Sequence, residues 1–281
     1  MSLNFAFVAI EAVYGYLAHS LALLADAGHN LSDVAGLLLA WGAMCLARRK
    51  PSPRRTYGLR RSSILAALAN ALLLLIAVGA IGWEAILRFG KPEPVAGRTV
   101  MVVAGIGIVI NTATALLFMT GRKKDVNVEG AFLHMAADAA VSLGVLVAGA
   151  IISYTGWTWL DPVTSLAIVA VIMVGTWGLL KKSLNLALDA VPEGIDSGNV
   201  KAFLLSLPGV TGVHDLHIWG MSTTEVALTA HVVRPDGAND EAFLAALGKQ
   251  LHDRFEIEHA TVQVERGDPA HQCRLQPDDV V

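Results

Sequence analysis

The sequence predicts an α-helical polytopic membrane protein of six transmembrane helices, followed by a C-terminal α+β domain of αββαβ order. Three observations carry that prediction. First, 54% of the 281 residues are hydrophobic and only 16% are charged. The mean hydropathy, +0.54, is too high for an ordinary water-soluble chain. Second, the apolar residues gather in runs long enough to cross a bilayer, all of them before residue 183. Third, after Lys182 the runs give way to short amphipathic segments separated by turn residues.

The apolar runs are read at 3–18, 20–46, 62–87, 99–119, 131–154 and 160–180. The first is short against the ~20 residues that a span needs, so either its N-terminus protrudes little or the sequence begins late there. No basic n-region precedes it, so no signal peptide is read. Several runs are rich in Gly and Ala, which suits close helix packing in lipid.

Basic residues set the orientation. Arg48, Arg49, Lys50, Arg54, Arg55, Arg60 and Arg61 follow the second run, Arg122, Lys123 and Lys124 the fourth, and Lys181 and Lys182 the sixth. The loop after the third run holds only Arg88, Lys91 and Arg98. By the positive-inside rule the larger set lies in the cytoplasm with both termini, and the second and fifth spans run antiparallel.

The domains are read as 1–182 in the membrane, 183–268 soluble, and 269–281 a loose tail. In the soluble part Pro192-Glu193-Gly194 marks a break, and helices are expected at 200–207 and 241–255. Strands are expected at 213–219, 225–233 and 260–265, forming an open antiparallel sheet with the helices on one face. Two cysteines, Cys45 and Cys273, imply no disulfide framework. The net charge of -3 says little by itself. The lipid bilayer is an expected partner and nucleic acid is not.

The chemistry concentrates at two places. Asp26-Ala27-Gly28-His29-Asn30-Leu31-Ser32-Asp33 lies in the second run, and His134-Met135-Ala136-Ala137-Asp138 begins the fifth. A spacing of four stacks His over Asp on one helix face, about a turn apart. Ionisable residues inside a span are costly and usually line a pathway or pair up. A single pair reads equally as a buried hydrogen bond or a cap on a neighbouring helix, but the repeat in a second span argues against that. His29, Asp33, His134 and Asp138 facing one another make an N2O2 set of the coordination number zinc prefers.

A membrane metalloenzyme would share such histidines but needs a general base beside its metal, as in His-Glu-x-x-His. No such motif occurs; Glu11 and Glu129 are the nearest loose carboxylates. A four-ligand site also leaves no open position for water, so a transporter is expected rather than an enzyme. No glycine loop for ATP is visible and no organic cofactor is expected, which leaves an ion gradient as the energy source.

Six spans, the two His-x-x-x-Asp pairs and the αββαβ domain together resemble the cation diffusion facilitator family, specifically its bacterial zinc-exporting branch. The resemblance covers nearly the whole chain. It is carried by Ser20-Leu21-Ala22-Leu23-Leu24-Ala25-Asp26-Ala27-Gly28-His29, Thr56-Tyr57-Gly58, Ser183-Leu184-Asn185, and Gly212-Val213-His214-Asp215-Leu216-His217-Ile218-Trp219. It implies a homodimeric, multi-pass protein of the inner (plasma) membrane that exports divalent zinc in exchange for protons. The soluble domain would be metallochaperone-like, with Zn(2+) a regulatory ligand as well as the substrate.

The family's transport site maps onto His29, Asp33, His134 and Asp138. Members with Asp in place of the histidines tend to move other ions, so these histidines point to zinc. Cadmium, cobalt, nickel and iron(II) stay open, as does a membrane metal sensor without net flux. Asp26 lies on the same helix face, seven residues before Asp33. It is either a carboxylate supporting the site or its approach, or a polar residue of helix packing. The resemblance also implies a pairing of Arg61 with Asp189, against the alternative of two separate interfacial charges. The loop after the second run contains no Asp or His, so the further metal site of some members is expected to be absent.

In the soluble domain His214, His231 and Glu265 map onto family metal ligands. Gln263 stands where some members have another His, which leaves that site one ligand short. His217, His259, His271 and Cys273 are nearby candidates, though each histidine alone reads more readily as a surface or strand residue, His214 and His231 on neighbouring strands less so.

Overall fold

The computed structural model describes residues 2–91, 93–119, 126–236, 240–268 and 273–276. Six long helices come first: α1 (Ser2–Leu17), α2 (Leu21–Ala47), α3 (Ser62–Gly90), α4 (Gly97–Met119), α5 (Val126–Thr155) and α6 (Leu160–Ala187). Among the described residues, five helices are long and apolar enough to cross a bilayer, and they are α2 to α6. The remaining helix, α1, is apolar but has 16 residues, about 24 Å of helix against about 30 Å of hydrocarbon. Large apolar side chains such as Leu73, Ile76, Leu117 and Val174 are exposed, whereas Glu11, Asp26, Asp138, Ser142 and Asp161 are buried. That inside-out distribution suits lipid on the outer faces.

The chain forms two compact units, the first made of Met1–Leu39 and Ala69–Leu180. Glycine sets its closest crossings. A Cβ on Gly97 of α4 would stand 2.6 Å from the carbonyl oxygen of Gly149 on α5, so the two backbones meet with no room for a side chain. A Cβ on Gly107 would meet the Phe7 ring of α1 at 2.9 Å and Ser142 Oγ of α5 at 3.2 Å. The missing side chain draws α1 and α5 together against α4.

The start of α2 is fixed from outside the helix. His19 takes a left-handed φ of 51° at the corner before it. Asp161, at the beginning of α6, accepts hydrogen bonds from Ser20 Oγ (2.5 Å), Leu21 N (2.8 Å) and Ala22 N (3.3 Å). First-turn N–H groups have no partner within their own helix, and a carboxylate there satisfies both them and the helix dipole. The register of α2, and so the height of His29 and Asp33, is anchored at this cap.

The second unit joins Ala40–Leu68 to Lys181–Val281. After α6 the chain turns through Asp189 (φ 59°) and Gly194 (φ 96°). It continues as α7 (Ser197–Leu205), β1 (Gly212–Gly220), β2 (Val226–Val233), α8 (Asp240–Phe255) and β3 (Ile257–Glu265), the αββαβ order expected. Asp196 caps α7 by accepting from Asn199 N at 2.9 Å.

The strands lie in the order β1-β2-β3. β1 and β2 are antiparallel, but β2 and β3 are parallel, which corrects the expectation of an antiparallel sheet. The reason is the connection. A tight turn reverses β1 into β2, whereas α8 carries the chain back to the end where β2 began, and a helical crossover delivers a parallel strand. Leu228, Ala230 and Val232 of β2 are buried at a period of two. They share one core with Val200, Phe203 and Leu204 of α7 and Leu247 and Leu251 of α8, so both helices cover that face. His231 points to the other face.

Candidate metal centre

On α2, His29 and Asp33 are one turn apart, and α5 carries His134 and Asp138 in the same way. The structure brings all four side chains together. His29 Nε2 lies 3.3 Å from Asp138 Oδ1, and His134 Nε2 lies 3.1 Å from Asp33 Oδ2. Within each helix the pairs are wider, 3.9 Å for His29–Asp33 and 3.8 Å for His134–Asp138. The imidazole rings stand edge to face with centroids 5.9 Å apart.

A tetrahedron with metal–ligand bonds of about 2.0–2.1 Å has edges of about 3.3–3.4 Å. The four separations bracket that length, although those to Asp138 involve both of its oxygens, Oδ1 toward His29 and Oδ2 toward His134. Ligand atoms from His29, Asp33 and His134 all lie within 4.8 Å of one another. Asp138, nearly fully buried, lies beside this group of three, and its Oδ2 has no hydrogen-bond partner. Two neutral imidazoles and two carboxylates carry a charge of -2, which matches a divalent ion.

Asp26 is not part of this cluster. It is buried and accepts a hydrogen bond from Ser142 Oγ at 2.9 Å. Glu11, treated from the sequence only as a loose carboxylate, is also fully buried and accepts from Asn30 Nδ2 at 3.1 Å. Its signal in the sequence was being the only charged residue of the first apolar run. The side chain of Glu129 lies outside the described residues.

A second cluster forms on the open face of the sheet. Strand register sets His214 beside His231 and His231 beside Gln263, with Glu265 two residues further along β3. His231 Nδ1 is 2.9 Å from Glu265 Oε1, and His214 Nε2 is 3.4 Å from Glu265 Oε2. Cys273 Sγ is 3.4 Å from His231 Nδ1. These four residues present ligand atoms within 4.8 Å of one another. His214 is buried with its Nε2 lacking a hydrogen-bond partner, which is unusual for a nitrogen with no further use.

Gln263 donates to Glu265 Oε1 at 3.1 Å, so it orients that carboxylate, and Cys273 is the fourth group beside His214, His231 and Glu265. Of the other candidates, His217 pairs with Asp215 at 2.9 Å and stands apart from the four. His259 lies against the Tyr57 ring, also apart, and His271 lies outside the described residues. Asp215 was missed. It has a φ of 49° in a β1 irregularity, and its Oδ2 lies 3.5 Å from His231 Nε2.

In the same unit Arg61 pairs with Asp189. Arg60, not singled out from the sequence, lies 2.7 Å from Glu225 Oε1, and Thr223 N donates to Ser63 Oγ at 3.1 Å.

Profiles of known families match both parts of the chain. The cation efflux transmembrane domain matches residues 1–186, and the cytoplasmic domain of cation efflux proteins matches residues 192–267. The chain belongs to the cation efflux family. The resemblance to the cation diffusion facilitators is thereby established, and this efflux protein is a transporter of metal cations rather than an enzyme. It is 39% identical to the zinc transporter ZitB of Escherichia coli, over 96% of this chain and 87% of the relative. It is 38% identical to the metal cation efflux system protein CzcD of Cupriavidus metallidurans, over 94% and 84%. A cadmium, cobalt and zinc/H(+)-K(+) antiporter of Bacillus subtilis is 34% identical over 92% and 85%. Among solved structures, the metal-bound C-terminal domain of the Cupriavidus metallidurans CzcD transporter is 40% identical. That match covers 25% of this chain and 99% of that one, with a TM-score of 0.24.

Proposed function

We propose that this efflux protein exports zinc from the cytoplasm in exchange for protons, using His29, Asp33, His134 and Asp138 as one tetrahedral transport site. The observation that carries the reading is the crossed pairing of His29 with Asp138 and His134 with Asp33. Ligand atoms of His29, Asp33 and His134 converge within 4.8 Å of one another, Asp138 reaches His29 at 3.3 Å, and imidazole nitrogen favours zinc over magnesium or calcium. The names of ZitB, CzcD and the Bacillus subtilis antiporter agree with that class of substrate.

Binding requires neutral imidazoles and ionised carboxylates, so metal and protons compete for the same atoms. Loaded from the cytoplasm and turned outward, the site gives up its metal to incoming protons and returns protonated. The protein acts as a homodimer in the inner membrane with both termini cytoplasmic. Cadmium, cobalt, nickel and iron(II) are the alternative cargoes, and a metal sensor without net flux is the alternative function. In proteoliposomes under an imposed pH gradient, zinc is expected to accumulate faster than nickel or manganese. Zinc binding without accumulation would favour the sensor.

The cluster of His214, His231, Glu265 and Cys273 is proposed as a separate regulatory metal site. In full-length protein whose transport site is disabled by Asp33→Ala, calorimetry should still detect zinc binding. Adding His231→Ala and Glu265→Ala removes two ligands and should weaken that binding at least about tenfold. An unchanged affinity would make these residues ordinary parts of the sheet.

A further inference from the structure

Glu11 and Asp26 are both fully buried. One oxygen of each is satisfied: Glu11 Oε2 by Asn30 Nδ2, and Asp26 Oδ2 by Ser142 Oγ. The other two, Glu11 Oε1 and Asp26 Oδ1, are buried, and no N–H or O–H of the described residues reaches them. Glu11 holds Asn30, which lies one turn after Asp26 on α2, so the two carboxyl groups are close enough to act on each other. Ionised carboxylate oxygens only accept, so a bond between these two unsatisfied oxygens would need a proton between them. With both groups ionised, two like charges would face each other in a space closed to water.

We propose that Glu11 and Asp26 form a two-carboxyl, one-proton site that carries one of the exchanged protons separately from the metal ligands. The inference rests on the proton-exchange reading above. Asp26 precedes His29 by three residues, about 4.5 Å along α2, and Ser142 follows Asp138 by one turn on α5. The pair therefore lies beyond the ligands toward the N-terminal end of α2, the side away from the cytoplasm in the proposed orientation. Protons arriving from that side meet the pair first.

Among the described residues, no hydrogen bond or ion pair joins either carboxyl to the four ligands. The charged or titratable groups that act on the pair are His29 of α2 and Asp138 of α5. The buried face of α4, packed against α1, is neutral throughout. When a divalent cation binds, its charge stabilises a second negative charge nearby. The bridging proton then leaves as H+, and two carboxylates remain. When the cation departs, one proton returns to the bridge.

The test counts protons released per zinc bound by the full-length protein in detergent, from calorimetry in buffers of different ionisation enthalpy. The soluble-domain cluster is disabled by His231→Ala and Glu265→Ala. Glu11→Gln combined with Asp26→Asn keeps size and hydrogen bonding, and should lower the count by about one while zinc still binds. Glu11→Asp keeps two carboxyls and should restore it. If the double variant does not assemble, Glu11→Gln alone must show the same loss, because its amide N–H replaces the bridging proton. An unchanged count in these variants, with release by the unmodified protein intact, overturns the pair and leaves the exchange reading standing. No release from the unmodified protein overturns the exchange reading, and the pair with it.

Discussion

Asp138→Ala is expected to abolish zinc flux in proteoliposomes while leaving the protein folded. Asp138 is the most deeply buried of the four ligands, and its carboxylate spans the two histidines: Oδ1 faces His29 and Oδ2 faces His134. Removing it leaves three donors and a net charge of -1 for a divalent ion. Losing groups that merely orient a metal ligand already costs about 10–100-fold. Losing a ligand should therefore reduce flux at least about 100-fold. The fold should survive, because alanine at this position buries no new polar group and suits a helix interior. Asp33→Ala should behave alike, although Asp33 is more exposed. The measurement is zinc uptake in vesicles, with gel filtration to confirm assembly. Flux within about threefold of the unmodified protein would remove these residues from the transport path.

The meeting of His29, Asp33, His134 and Asp138 was legible because its information is local. A spacing of four on a helix fixes one face, and the repeat in a second span supplied the partner face without any tertiary knowledge. Glu11 was not legible in the same way. Nothing in its surroundings says which residue it meets, and the contact with α2 depends on how Gly107 lets α1 and α5 close on α4. The soluble domain divides similarly. The order of its elements followed from alternation and turn residues, but the direction of β3 depends on the path of α8 across the sheet. That Gln263 supplies no ligand was legible, but its place beside His231 and its bond to Glu265 depend on the strand register. Asp215 escaped notice because a left-handed residue inside a strand has no periodic signature.

Replacing both His29 and His134 by Asn is expected to remove most of the zinc affinity and most of its dependence on pH. Asn keeps a polar side chain of similar reach but has no group that titrates near neutrality, whereas an unperturbed His titrates near pH ~6.5. In the metal-free protein each imidazole faces carboxylate oxygens from both helices, and these hold an imidazolium as readily as they help hold a metal. Lowering the pH fills the site with protons that zinc must displace, so affinity falls as pH falls. Each proton displaced contributes about tenfold per pH unit. The check is zinc titration of detergent-solubilised protein from about pH 5.5 to 8, with His231→Ala and Glu265→Ala removing the other cluster. The protein with both histidines should show a steep rise in affinity with pH, and the double Asn variant weak binding that rises by no more than about tenfold per pH unit. A slope of about one proton persisting in the variant is the share assigned to Glu11 and Asp26. Equal affinity at both ends of the range in the protein that keeps its histidines would rule out direct competition at the imidazoles.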